Sequence, residues 1–121
     1  MLPGKTSKTF NERVYKIVRL VPPGKVISYG RVAELIEVPN GARAVGWAMA
    51  ALPDQSDVPW HRVVNAQREI SQRYDPESAI RQRERLEAEG IVFDDKGRIP
   101  KSAVWSPSIW EIRDRIGGSS G

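Results

Sequence analysis

The chain contains a single histidine, His61, inside the run VPWHRVV at 58–64. Imidazole titrates near neutrality, so histidine is the first side chain to weigh as a general acid or base. That chemistry also needs a nucleophile or an activated water within hydrogen-bond reach. The preceding residue is Trp60, which has no nucleophilic atom, and the chain has no cysteine. A carboxylate such as Glu89 could orient the ring, but position along the chain does not by itself bring the two together. Taken alone, a histidine in an apolar run is more often a hydrogen-bonded structural residue than a base.

Arg43 offers a different chemistry. It is flanked by Gly41, Ala42, Ala44 and Gly46, small residues that let a helix backbone approach another surface closely. If that surface is a DNA groove, Arg43 is the longest probe of the helix; the plainer reading is a solvated arginine. Tyr29 follows Ser28 and could set a phenol against a phosphate or a base, or lie half-buried in a first helical turn. Arg62, Arg68 and Arg73 surround the histidine stretch, and at least one of them is expected to face the same surface. Arg81, Arg83 and Arg85 lie among Glu84, Glu87 and Glu89 and read as a solvated, salt-bridged face.

Composition limits the partners. The chain has 121 residues, a formal charge of +4 and a pI near 9.7, a mild lean toward an acidic partner such as nucleic acid. Zero cysteines exclude disulfides, thiolate chemistry and cysteine-based zinc sites, and one histidine leaves no histidine-rich metal site. No metal and no cofactor are expected. No apolar run has the length of a membrane span, and MLPGKTSKTF lacks the apolar stretch of a signal peptide. The expectation is a cytoplasmic monomer, nucleoid-associated when bound to DNA, with no membrane partner.

The elements that must position these residues are mainly helical. Phe10, Val14, Ile17, Val18 and Val21 have helical spacing, which predicts a helix over 8–21 ended by PPGK. Ser28 predicts the N-cap of SYGRVAELIE, with Val32, Leu35 and Ile36 inward. Asn40 predicts the cap of GARAVGWAMAAL, with Val45, Ala48, Met49 and Leu52 inward and Arg43, Gly46, Trp47 and Ala50 on the opposite face. Two short helices joined by the turn VPNG read as a helix-turn-helix. Val63–Val64 and Ile70 are expected to pair around the turn NAQRE. Asp75, Pro76 and Gly90 would cap, open and stop a fourth helix, and IVFDDKGRI reads as a hairpin. Residues 1–7 are expected to be a disordered tail, 8–110 one domain and 111–121 a flexible tail carrying GGSSG.

PGKVISYGRVAEL, GARAVGWAM, PWHRVV and EAEG, in that order, resemble the DNA-binding domain of the O6-alkylguanine-DNA alkyltransferases. The resemblance runs from about residue 9 to 104. It implies a mainly α fold with a winged-helix-like helix-turn-helix core and a small β element, as in the C-terminal domain of those enzymes. The family carries PCHRV, whose cysteine accepts the alkyl group; here Trp60 stands at that place, which resembles the alkyltransferase-like subfamily. By resemblance, Tyr29 rotates the target nucleotide's phosphate, and Arg43 fills the gap left by the flipped base. Ala42 and Gly46 lie with them on the DNA side. His61 and Glu89 are the remnants of a relay that, through water, activates the cysteine. Tyr29, Met49, Trp60, Val63 and Arg73 form the lesion pocket, and Arg73 is a second mark of the subfamily. Leu52 and PDQSD differ from the asparagine hinge of active enzymes, and Trp47 replaces a small residue.

The implied function is a non-enzymatic sensor. It would bind O6-alkylguanine in duplex DNA through the minor groove, flip the nucleotide, and mark it for nucleotide-excision repair proteins. The other readings are a sequence-specific helix-turn-helix regulator, and an enzyme using another nucleophile in the same pocket.

Overall fold

The computed structural model describes residues 6–53, 55–71 and 76–116. Helix α1 (Lys8–Leu20) opens where the Ser7 hydroxyl accepts the Phe10 N–H at 3.0 Å. Val14, Ile17 and Val18 are fully buried along its inner stripe. The helix stops at the extended Val21, before Pro22 and Pro23.

Ser28 caps α2 (Tyr29–Leu35) as its position predicts, accepting the Arg31 N–H at 3.1 Å. Asn40 does not cap α3 (Ala42–Ala50). Its φ of +64° is left-handed, whereas a capping residue needs extended backbone, so Gly41 takes the N-cap position without a side-chain bond. The α2–α3 turn is tight enough that a Cβ on Gly41 would lie 2.8 Å from the Val38 carbonyl oxygen. Helix α1 clamps this pair. The Arg13 guanidinium donates to the Ile36 carbonyl, and the Tyr15 hydroxyl donates to the Ala48 carbonyl at 2.7 Å.

The β element differs from the expected hairpin. Strand β1 (Ile27–Ser28) runs parallel to β2 (Val63–Val64), with Ile27 opposite Val63 and Ser28 opposite Val64. Ile70 joins no strand. The turn before it is closed by Asn65, whose side-chain oxygen accepts the N–H groups of Gln67 and Glu69 at 3.0 and 2.9 Å. Val63 and Val64 are both buried, the pattern of a strand covered on both faces.

Helix α4 (Pro76–Ala88) begins at the expected proline, and left-handed Gly90 ends it; the expected cap Asp75 lies outside the described residues. Segment 91–99 turns at Asp94–Gly97, where Gly97 N–H donates to Asp94 O at 3.0 Å, but its arms form no ladder. Asp94 N–H donates to the Arg98 carbonyl at 2.9 Å, but the Ile99 N–H donates to the Arg68 carbonyl at 2.8 Å instead of across the turn, and Ile91 and Ile99 both join a core cluster with Val26, Val64 and Leu86. Of the flexible tail expected over 111–121, residues 111–116 are helical instead, and 117–121 lie outside the described residues. Helix α5 (Ile109–Ile116) packs back, with Ile112 buried in the main cluster. No helix among the described residues is long and apolar enough to cross a membrane.

Candidate nucleic-acid interface and base pocket

The run WHR at 60–62 forms one 3-10 turn between the Val58–Pro59 segment and β2. It projects His61 and Arg62 toward the end of α4, where both meet Glu89. His61 Nε2 lies 2.8 Å from Glu89 Oε2, and Arg62 Nη2 donates to the same oxygen at 2.6 Å. The Gly24 N–H donates to Glu89 Oε1 at 3.0 Å, and Arg62 Nη1 donates to the Val21 carbonyl at 2.9 Å. One carboxylate therefore ties the PPGK loop, the 3-10 turn and the C-terminus of α4 together.

Burial alone would raise the Glu89 pKa, but the bonds from Arg62, His61 and the Gly24 N–H outweigh it and hold the group at about 2. Burial is also the largest influence on His61. It lowers the pKa despite the neighbouring Glu89 carboxylate. A neutral His61 facing an ionised carboxylate carries its proton on Nε2. Nδ1 is then a bare acceptor, buried and reached by no donor among the described residues.

A cleft of about 580 Å³ opens beside this hub. Its walls include Tyr29 from the start of α2, Met49 and Ala50 from the end of α3, Leu52, and Trp60. The Trp60 ring stands nearly perpendicular to His61, at 87° with centroids 6.2 Å apart. The far wall is one stripe of α4, Ser78, Arg81, Gln82 and Arg85, at i, i+3, i+4 and i+7. Gln82 is buried and donates to the carbonyls of His61 and Val63 at 3.1 and 2.8 Å, which fixes this stripe over the 3-10 turn. The Arg85 guanidinium lies 5.3 Å from the centre of the Trp60 ring.

On α3, Arg43 is exposed, and no hydrogen bond or ion pair holds it among the described residues. Trp47 is half-buried and Ala50 exposed on the same stripe, which leads from Arg43 to the cleft. Ala42 is half-buried at the helix start. Gly46 is buried, which corrects the expectation that it faces outward. Of the flanking arginines, Arg62 is held by Glu89. Arg68 instead lines a second cleft of about 780 Å³ with Arg31 and Asn40–Ala42 of the helix-turn-helix.

The family description "6-O-methylguanine DNA methyltransferase, DNA binding domain" matches residues 9–91. The chain belongs to this family. Within it, the chain is an alkyltransferase-like protein. It is 37% identical over 99 residues to a DNA base-flipping protein of Vibrio parahaemolyticus, covering 81% of this chain and 97% of that one. It is 44% identical over 82 residues to alkyltransferase-like protein 1 of Schizosaccharomyces pombe, covering 68% and 76%. The structure of S. pombe Atl1 in complex with damaged DNA containing O6-carboxymethylguanine aligns with a TM-score of 0.75 at 36% identity, over 85% of this chain and all of that one.

Of the pocket residues implied by the alkyltransferase-like resemblance, Tyr29, Met49 and Trp60 line the cleft. Val63 does not. Its side chain is buried in the core and its carbonyl accepts from Gln82. Arg73 lies outside the described residues. The resemblance pairs His61 with Glu89, and the geometry bears that pairing out. Sequence reasoning missed Arg81, Gln82 and Arg85 as cleft residues and treated Arg81 and Arg85 as part of a salt-bridged face. Arg83 does pair with Glu87 at 3.3 Å. The available signal was the helical spacing of positions 78, 81, 82 and 85, one face of α4 that carries no carboxylate.

Proposed function

We propose that this alkyltransferase-like chain is a non-enzymatic sensor of O6-alkylguanine in duplex DNA. In this reading α3 enters the minor groove, Arg43 takes the place of the flipped nucleotide, and the cleft holds the base. The observation that carries it is the composition of the cleft beside the His61–Glu89 pair. The relay residues are joined at 2.8 Å, while Trp60 stands at the acceptor position as an apolar wall. Flipping a nucleotide costs a few kcal/mol, less when damage has weakened its base pair. A cleft that binds the base without reacting turns that difference into lesion discrimination. The relatives' names, a base-flipping protein and a protein solved on damaged DNA, support the same reading.

The test is a titration at one salt concentration with duplexes that differ only by O6-methylguanine against guanine, followed by intact-protein mass spectrometry. Tighter binding to the lesion with no mass gain is the expected result. Equal affinity for the two duplexes overturns the sensor. A gain of one methyl supports transfer to another nucleophile instead, and Ser71 and Ser78 line the cleft. The final step, handover to nucleotide-excision repair, rests on the family resemblance. It predicts that deleting this protein adds no alkylation sensitivity in cells already lacking excision-repair incision.

A further inference from the structure

Two guanidinium groups border the cleft from α4. Arg81 and Arg85 are one turn apart, on either side of the buried Gln82 that fixes the helix there. Among the described residues, neither is neutralised by a close ion pair. Arg81 reaches Glu77 only at 4.0 Å, in an exposed contact, and donates to the Ser78 hydroxyl at 3.2 Å. Arg85 has its guanidinium 5.3 Å from the Trp60 ring centre, at the cleft wall. No aspartate or glutamate is among the described residues lining the cleft. The nearby carboxylate, Glu89, is engaged by Arg62, His61 and the Gly24 N–H. The remaining wall is largely apolar, with Met49, Ala50, Leu52 and Trp60.

We propose that Arg81 and Arg85 make this cleft selective for O6 adducts that carry a negative charge, such as a carboxyalkyl group, over neutral adducts of the same size. The inference rests on the reading of the cleft as the pocket for a flipped base. An anionic substituent entering it meets two fork-shaped donors suited to a carboxylate and, among the described residues lining it, no competing anion. A neutral substituent of equal size gains the apolar contacts but not the charge-assisted bonds.

The experiment compares four duplexes at one salt concentration and pH 7.5, carrying guanine, O6-methylguanine, O6-carboxymethylguanine or its neutral isostere O6-(carbamoylmethyl)guanine. The protein binds the carboxymethyl lesion about two- to five-fold tighter than the carbamoylmethyl lesion, the range for exposed charge pairs. That ratio falls to about one in the Arg81→Gln/Arg85→Gln double variant and is kept in Arg83→Gln, whose side chain lies outside the cleft. A ratio of one in the unaltered protein, or a ratio indifferent to the double substitution, overturns the proposal. An equal loss on all four duplexes also overturns it, because the arginines would then be phosphate contacts. Failure to distinguish O6-methylguanine from guanine sinks the base-pocket reading itself, whereas lesion preference without charge preference sinks only this inference.

Discussion

Glu89 and His61 make the fold acid-sensitive in a predictable order. Both have pKa values lowered by folding, from ordinary values of 4.5 and 6.5, so the unfolded chain binds their protons more readily. Stability therefore falls as pH drops below about 6.5 and protons favour unfolded His61. It falls again between about 4.5 and about 2 as Glu89 protonates. The Glu89 share is about 3 kcal/mol at neutral pH. Urea midpoints measured from pH 7 to 3 check this. Glu89→Gln lowers the neutral-pH midpoint and flattens the acid limb, and an unchanged limb would show that another group controls it. At the same scale, Arg43 and Arg83 each carry one charge, but only Arg43 lies on the α3 stripe leading to the cleft; Arg83 pairs with Glu87 and covers Phe93. Arg43→Ala weakens lesion binding about ten-fold or more, Arg83→Ala less than about two-fold. Equal losses with equal changes in salt dependence would make Arg43 a plain phosphate contact.

Among the elements, the α2–α3 turn has the least tolerance. Two consecutive bends use left-handed residues, Glu37 and Asn40, and Gly41 sits against the Val38 backbone. A methyl group there meets a carbonyl oxygen rather than a flexible side chain, so the helices must shift apart. Gly41→Ala is expected to cost about 1–3 kcal/mol, the range for overpacking. Because α3 carries Arg43 at one end and Met49 and Ala50 at the cleft, the same change should weaken lesion binding beyond the loss of folded protein. Denaturation and binding measured on one preparation separate the two effects. A variant as stable as the parent would show that the turn relaxes without cost.

For the whole molecule, the helical end of the chain completes the core. Ile112 belongs to the cluster built by α1, α2 and α3, and the Arg113 side chain pairs with Glu37 in the helix-turn-helix turn at 2.5 Å. Ile112→Ala should cost about 2–4 kcal/mol. Trp110 is 69% exposed on the same helix, so Trp110→Ala should stay within about 0.5 kcal/mol. Chemical unfolding of the two variants checks the contrast. Equal, small effects would return residues 109–116 to the status of a tail.

Local patterns in the sequence determined α1, α2 and the interior of α3, because apolar periodicity and the Ser28 cap act within a few residues. Four ordered motifs also identified the family, and with it the substitution of Trp60 for the acceptor and the partnership of His61 with Glu89. What local pattern could not decide was every contact that closes a long loop. Val63–Val64 pairs with Ile27–Ser28, more than thirty residues away, since the hairpin partner nearer in sequence is turned aside by Asn65. Gly46 lies inward although its spacing suggested the open face, because where a helix stripe points depends on what packs against it. The polar end of the chain forms α5, because an open edge of the core was available to Ile112. Arg81 and Arg85 became cleft residues only when buried Gln82 docked α4 on the carbonyls of His61 and Val63. Spacing determines which side chains share a face, but only the packed neighbours determine what that face meets.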